Sequence, residues 1–290
     1  MKKTRAVLLP TTIWPFIIRL WLENFKTWQD KVDKAYLVLS NNVPPEFIAS
    51  LRSQIAKMKM LEKITIVETN ASWTDSYTEA YKASKEDLFV IMHDDTYIND
   101  PEMLDKNFKL AEEGEVVTPM WDSIGPKELA ESWLKERYPG VFPIGPYDDA
   151  YVFVMVLVFI SRINLEKTRI DFNGFKNELG IGFDVGGKII LDLLDNGVKI
   201  HPLPRYHGQS IEKGNYFHYS GMASSVPGMI DGGELPSANW DPPNLKKKLD
   251  HIEKALELDD FEEVAEYRDF VIKRIKEFRE CIAEIEGEGK

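Results

Sequence analysis

The sequence predicts an α/β fold, a mostly parallel sheet flanked by helices on both faces, with a helical extension at the carboxyl end. Three observations lead there. Short apolar runs alternate with amphipathic stretches from Ala6 to Glu113, prolines stand in the first turns of the expected helices, and the tail carries apolar residues every three or four positions.

Ala6–Leu9 is wholly apolar, as a strand covered on both faces requires, and Pro15–Phe25 follows as an amphipathic helix. The pair recurs as Ala35–Leu39 with Pro45–Met58, Ile64–Val67 with Trp73–Ser84, and Leu88–Met92 with Pro101–Glu113. Pro15, Pro45 and Pro101 sit where a helix's first turn has no use for an N–H, and Asp100 is placed to cap the helix after it. Val116–Pro119 is a further strand. Tyr151–Ile160, β-branched and aromatic, reaches only about half the length of a membrane-spanning helix and is read as one central strand. Asp171–Gly182 reads as loop and turn, Gly187–Asn196 as a helix closed by Gly197, and Val198–His201 as a strand. Leu235–Pro243 looks like a linker. Beyond it, Val264, Tyr267, Val271, Ile275, Phe278 and Ile282 form a helical stripe that packs on the body or on a second copy, which makes a homodimer through this helix possible. The expected division is therefore a main domain over residues 1–232, then a linker and helical extension over 233–290.

Composition narrows the classes of partner. A chain of 290 residues with a formal charge of -12 sets its overall field against nucleic acid and anionic membranes and favours small or neutral partners. Cys281 is the only cysteine, which excludes an intrachain disulfide and a cysteine zinc site and fits a cytoplasmic setting. The charged start at Lys2, Lys3 and Arg5 is followed by too short an apolar run, cut at Pro10, to act as a signal peptide or transmembrane segment.

In open sheets of this kind ligands bind beyond the carboxyl ends of the strands. The loops there read Pro10-Thr11-Thr12, Ser40-Asn41-Asn42, Glu68-Thr69-Asn70 and His93-Asp94-Asp95-Thr96. They carry hydroxyls, amides and acids, with neither a dinucleotide fingerprint nor a P-loop. Asp94 and Asp95 stand at the mouth of a buried strand, where adjacent negative charges repel unless a hard divalent cation offsets them. The plainer alternative is that both aspartates only shape a turn.

The segment Ile91-Met92-His93-Asp94-Asp95-Thr96-Tyr97, followed by Asp100-Pro101-Glu102-Met103-Leu104, resembles the DXD-type segment of GT-A glycosyltransferases, family 2 in particular. Pro10-Thr11-Thr12 is similar to the end of that family's opening strand, and Asn70–Lys82 resembles the helix before its DXD strand. Gly180-Ile181-Gly182-Phe183-Asp184 resembles its catalytic-base motif, and Phe217-His218-Tyr219-Ser220-Gly221 its closing histidine segment. The likeness spans roughly residues 6 to 224. It implies a GT-A fold and transfer of a sugar from a nucleotide-diphosphate sugar, UDP-linked in the first instance, to an acceptor hydroxyl with Mn²⁺ or Mg²⁺. It further implies Asp95, Asp94 and His218 at the metal and Asp184 as base. Pro10, Thr11, Thr12, Asn41 and Asn70 would lie along the nucleoside, with Arg205 and Lys213 near the diphosphate. Trp121 and Asp122, after a strand on the ligand side, are placed to meet the acceptor.

Two departures stand out. Ser40-Asn41-Asn42 replaces the usual base-reading aspartate, and the Gln-x-x-Arg-Trp segment of processive synthases is absent, which favours single transfers. Other readings of the same residues stay open. His218 can be a satisfied aromatic neighbour, Asp184 a helix cap, and Arg205 and Lys213 surface charges. His93, His201 and His207 are read as structural. A carbohydrate or glycoconjugate is the favoured acceptor; a modified DNA base is possible if Lys127, Lys135, Arg137 and Lys167 make a basic patch. A sugar-nucleotide nucleotidyltransferase would need a glycine-rich loop after the first strand, and a non-catalytic sugar-binding module would show no turnover.

Overall fold

The computed structural model describes residues 2–11, 13–39, 43–121, 127–141, 152–153, 156–183, 185–203, 215–218, 230, 242–258 and 261–288. In chain order the elements are β1 (Arg5–Thr11), α1 (Pro15–Lys26), β2 (Lys34–Leu39), α2 (Pro45–Lys57), β3 (Ile64–Glu68), α3 (Ser76–Ala83) and β4 (Leu88–Met92). Then come β5 (Thr96–Ile98), α4 (Glu102–Glu112), β6 (Val116–Trp121), α5 (Lys127–Arg137), β7 (Val152–Phe153), β8 (Leu157–Ser161) and α6 (Arg162–Leu165). The rest are β9 (Phe175–Lys176), β10 (Gly182–Phe183), α7 (Gly187–Asp195), β11 (Ile200–Leu203), β12 (Tyr216–His218), α8 (Pro242–Leu256) and α9 (Ala265–Glu288).

The main sheet runs β11-β6-β8-β4-β1-β2-β3, with β7 beside the end of β6. Its strands are parallel except β7 and β8; β8 lies antiparallel between β4 and β6. Because strand side chains alternate, each strand feeds two cores. Val7 and Leu9 of β1 join Leu37, Val90 and Phe159 under α1, α2, α4, α8 and α9. Ala6 and Leu8 join Val38, Phe89 and Ile160 under α3, α5 and α7. This is the α/β architecture expected from the apolar runs.

The run Tyr151–Ile160 is not one strand. β7 and β8 are separate within it; Val156, in a turn just before β8, accepts the His93 amide at 3.4 Å and the Thr96 hydroxyl at 3.0 Å on its carbonyl. The helix expected from Trp73 begins at Ser76, leaving Trp73 in a turn, and the strand expected at Val198 begins at Ile200. The tail stripe is consumed inside the chain: Val264, Val271, Ile275, Phe278 and Ile282 are buried in the same core as Trp14 and Phe16. Among the described residues, no helix is long and apolar enough to cross a membrane.

Candidate active site

The carboxyl ends of β1, β2, β3, β4 and β6 share one edge of the sheet. At its centre, β4 ends in a tight turn in which the Thr96 amide donates to the His93 carbonyl at 3.1 Å, with Asp94 and Asp95 as the two central residues. Turn-tip aspartates ordinarily face water. Here Asp94 is 4% exposed and Asp95 2% exposed. The Thr11 hydroxyl donates to Asp94 Oδ2 at 2.5 Å and accepts the Ile13 amide at 2.8 Å. His93 Nδ1 lies 4.0 Å from Asp95 Oδ1, and its ring packs edge-on against Trp73, 5.4 Å between centroids. Burying a carboxylate charge costs several kcal/mol unless it is paired or hydrogen-bonded, and a divalent cation is one partner able to offset two such neighbours.

The ribbon leaving the turn is held from three sides. Asn24 of α1 imitates a neighbouring strand: its Oδ1 accepts the Ile98 amide and its Nδ2 donates to the Ile98 carbonyl, both at 2.8 Å. β12 pairs antiparallel with β5, setting His218 in register with Thr96, the residue after Asp95. From α8, the ring of His251 shares a 2.8 Å hydrogen bond with the Tyr97 hydroxyl. Burial pushes the His251 imidazole down to about 3; Lys254 adds to this and Asp95 opposes it.

Beside the turn, the loop after β3 is tied to the segment that precedes α7. The Thr74 hydroxyl donates to Asn173 Oδ1 at 2.5 Å, Asn173 Nδ2 donates to Asp75 Oδ1 at 3.2 Å, and the Gly186 amide donates to the Phe172 carbonyl at 2.7 Å. Asp171, pushed up by burial, is nonetheless held below the usual carboxylate range by its bond to Lys188 and by bonds from Asn173. α7 opens at Gly187 with Gly186 at the cap position, φ 81°.

Of the residues singled out from sequence, Thr11, Asp94 and Asp95 are brought together. Pro10 is buried in β1 just before them, and Asn70 is exposed in the turn after β3. Trp121 ends β6 opposite Val152, and His218 ends β12; for both, the strand position is what is described. Thr12, Asn41, Asp122, Asp184, Arg205 and Lys213 lie outside the described residues, as does His207. His201 pairs with Glu115 at the opening of β11. Within the basic group, Arg137 pairs with Asp195 at 2.8 Å and Lys167 donates to Asn164 at 2.9 Å. Sequence reasoning missed Asn24, Tyr97 and His251; the one available signal was a histidine between Leu249 and Ile252 on an otherwise apolar helix face.

The donor set at the turn fits a hard divalent cation. It offers two carboxylates with the His93 imidazole 4.0 Å from one of them, and among the described residues no three His, Cys, Asp or Glu converge as a closed cage. Mg²⁺-type sites are of this open kind, one or two carboxylates with the remainder supplied by water and substrate phosphate oxygens.

The chain is similar to solved structures of glucosyl-3-phosphoglycerate synthase from Mycobacterium tuberculosis. With the complex containing Mn²⁺, uridine diphosphate and phosphoglyceric acid it shares 16% identity over 69% of this chain and 68% of that one, at a TM-score of 0.46. With the complex containing Mg²⁺ and uridine diphosphate the identity is 13%, over 74% and 71%, at a TM-score of 0.46. No protein-family model and no curated protein matches the chain.

Proposed function

We propose that the chain is a divalent-metal-dependent glycosyltransferase of the GT-A type that uses a nucleotide-diphosphate sugar, UDP-linked in the first instance. The observation that carries this reading is the burial of two adjacent carboxylates, Asp94 and Asp95, in a turn at the centre of the ligand-side edge. Enclosing two adjacent carboxylates is costly for a turn that only reverses the chain, and this supports a cation-binding role over the plainer one.

In this reading residues 1–232 carry donor binding and catalysis, and Asp95, with Asp94, holds Mn²⁺ or Mg²⁺. Such an ion supplies Lewis-acid neutralisation of the charge on a departing nucleoside diphosphate. Thr11 fixes Asp94 and, with Pro10, Thr12, Asn41 and Asn70, borders the nucleoside. His218 completes the metal's shell, and Arg205 and Lys213 approach the diphosphate, where a cation makes charge-assisted bonds. Asp184 accepts the acceptor's hydroxyl proton as that oxygen attacks the anomeric carbon. Trp121 and Asp122 border a carbohydrate or glycoconjugate acceptor. The single cysteine suits action in the cytoplasm.

Thermal shift with nucleoside diphosphates and their sugars, with and without Mn²⁺, tests the reading directly. A ligand at a hundred times its Kd raises stability by about 2.7 kcal/mol. Asp95→Asn should abolish the Mn²⁺-dependent shift and the turnover, while its unfolding midpoint in EDTA equals or exceeds that of the parent because one buried like charge is gone. A Mn²⁺-dependent shift that survives in Asp95→Asn would remove the basis of the proposal.

A further inference from the structure

The two carboxylates are braced from the far end of the chain. Tyr97, two places beyond Asp95 in β5, shares its hydroxyl with the His251 ring of α8 at 2.8 Å, 154 positions away in sequence, and the rings meet edge-on with centroids 4.9 Å apart. Both side chains are buried, His251 at 5% exposure. On the other side of the turn, Trp14 Nε1 donates to the Tyr267 hydroxyl of α9 at 2.5 Å. Trp14 follows Ile13, a β-branched residue at φ 46°, a left-handed conformation held only when its surroundings over-determine it. The Ile13 amide donates to Thr11 Oγ1, the hydroxyl that donates to Asp94. Two supports of the acidic pair, beside those from Asn24, β12 and Val156, therefore end on the two carboxyl-terminal helices.

An apolar interface did not need these bonds. The buried face of α8 is otherwise Leu245, Leu249, Ile252, Ala255 and Leu256, and replacing both partners of a buried hydrogen bond with apolar groups of similar shape is close to neutral for stability. What the polar pairs add is a fixed relation between helix and loop.

Resting on the metal-site reading above, we propose that α8 and α9 are a positioning element for the Asp94–Asp95 turn, with His251 and Tyr267 as positioning residues that act through Tyr97 and Trp14. Residues that orient metal ligands in this way change metal affinity by about 10–100-fold when lost.

Calorimetric titration of Mn²⁺ in the presence of uridine diphosphate, alongside urea unfolding, provides the test on the full chain. His251→Leu should weaken Mn²⁺ binding about tenfold or more, and His251→Gln, whose amide can still bond the Tyr97 hydroxyl, should retain most of the affinity. Tyr97→Phe and Tyr267→Phe, each lacking one oxygen, should be weakened in the same direction and serve if His251→Leu fails to fold. The double variant His251→Leu/Tyr97→Phe leaves no orphaned hydroxyl, so it should regain its unfolding midpoint yet stay weak for Mn²⁺. Affinity that returns together with stability in the double variant, or folded His251→Leu or Tyr97→Phe that binds as tightly as the parent, overturns the proposal. Absence of Mn²⁺ binding in the parent protein overturns the site reading and this proposal with it, a result distinct from parental binding that the variants leave unchanged.

Discussion

Thr11 has two partners at one atom: its oxygen accepts the Ile13 amide and its proton goes to Asp94. Thr11→Val keeps the shape and removes both. Hydrogen bonds to charged groups contribute about 1.5–3 kcal/mol, so urea unfolding should show a loss of that order, with weaker Mn²⁺ binding beside it. His251 makes a prediction in pH. Its folded value, pushed down to about 3 by burial, lies well below the unfolded one, so the unfolded chain binds the extra proton in between. Stability is whole above the ordinary histidine value of about 6.5 and falls as the medium is acidified through the window below it. The groups that bear on the ring are Lys254, which deepens the shift, Asp95, which opposes it, and Tyr97, its hydrogen-bond partner. Urea midpoints measured at about pH 7.5 and pH 5 should fall for the parent and fall less for His251→Leu.

Gly187, the first residue of α7, shows how closely two elements meet: a Cβ there would stand 2.6 Å from Phe183 Cβ. Phe183 in turn stacks on Phe175 of β9 with centroids 4.9 Å apart. Gly187→Ala must displace that pair, and overpacking of this kind costs about 1–3 kcal/mol; thermal unfolding should register it. The elements that sequence revealed were those whose burial obeys a period. β4 is wholly apolar, and β1 and β2 are apolar over Ala6–Leu9 and Leu37–Leu39, because both faces are covered there, and Pro15 and Pro45 stand at N1 or N2 of α1 and α2. α5 escaped notice because its described buried face amounts to Ala130 and Leu134, too little to make a stripe. β5 and β12 escaped because three residues show no period and their partners come from elsewhere in the chain. In the site, Thr11, Asp94 and Asp95 were legible because a parallel sheet brings its strand ends together. Asn24 and His251 were not, since each meets β5 across a separation that no local pattern records.

At the scale of the molecule, α8 and α9 are part of the core that supports the site. Leu245, Leu249, Ile252, Phe261, Val264, Val271, Ile275, Phe278 and Ile282 are all buried against it. Burying one such side chain contributes about 1.5–3 kcal/mol, so losing all nine removes a gross term at least comparable to the roughly 5–15 kcal/mol of net stability of an ordinary domain. A chain ending before Pro242 should show no cooperative unfolding transition and should bind hydrophobic dyes. The insertion of β8 between β4 and β6 bears on how the protein is made. Until Leu157–Ser161 has left the ribosome, β4 offers an open apolar edge to any passing strand. Trp14 and Phe16, synthesised early, wait for Phe261 and Tyr267, synthesised late. Nascent chains of this protein must therefore carry their first core uncovered until Phe261 and Tyr267 have emerged, and through that interval chaperone shelter matters most.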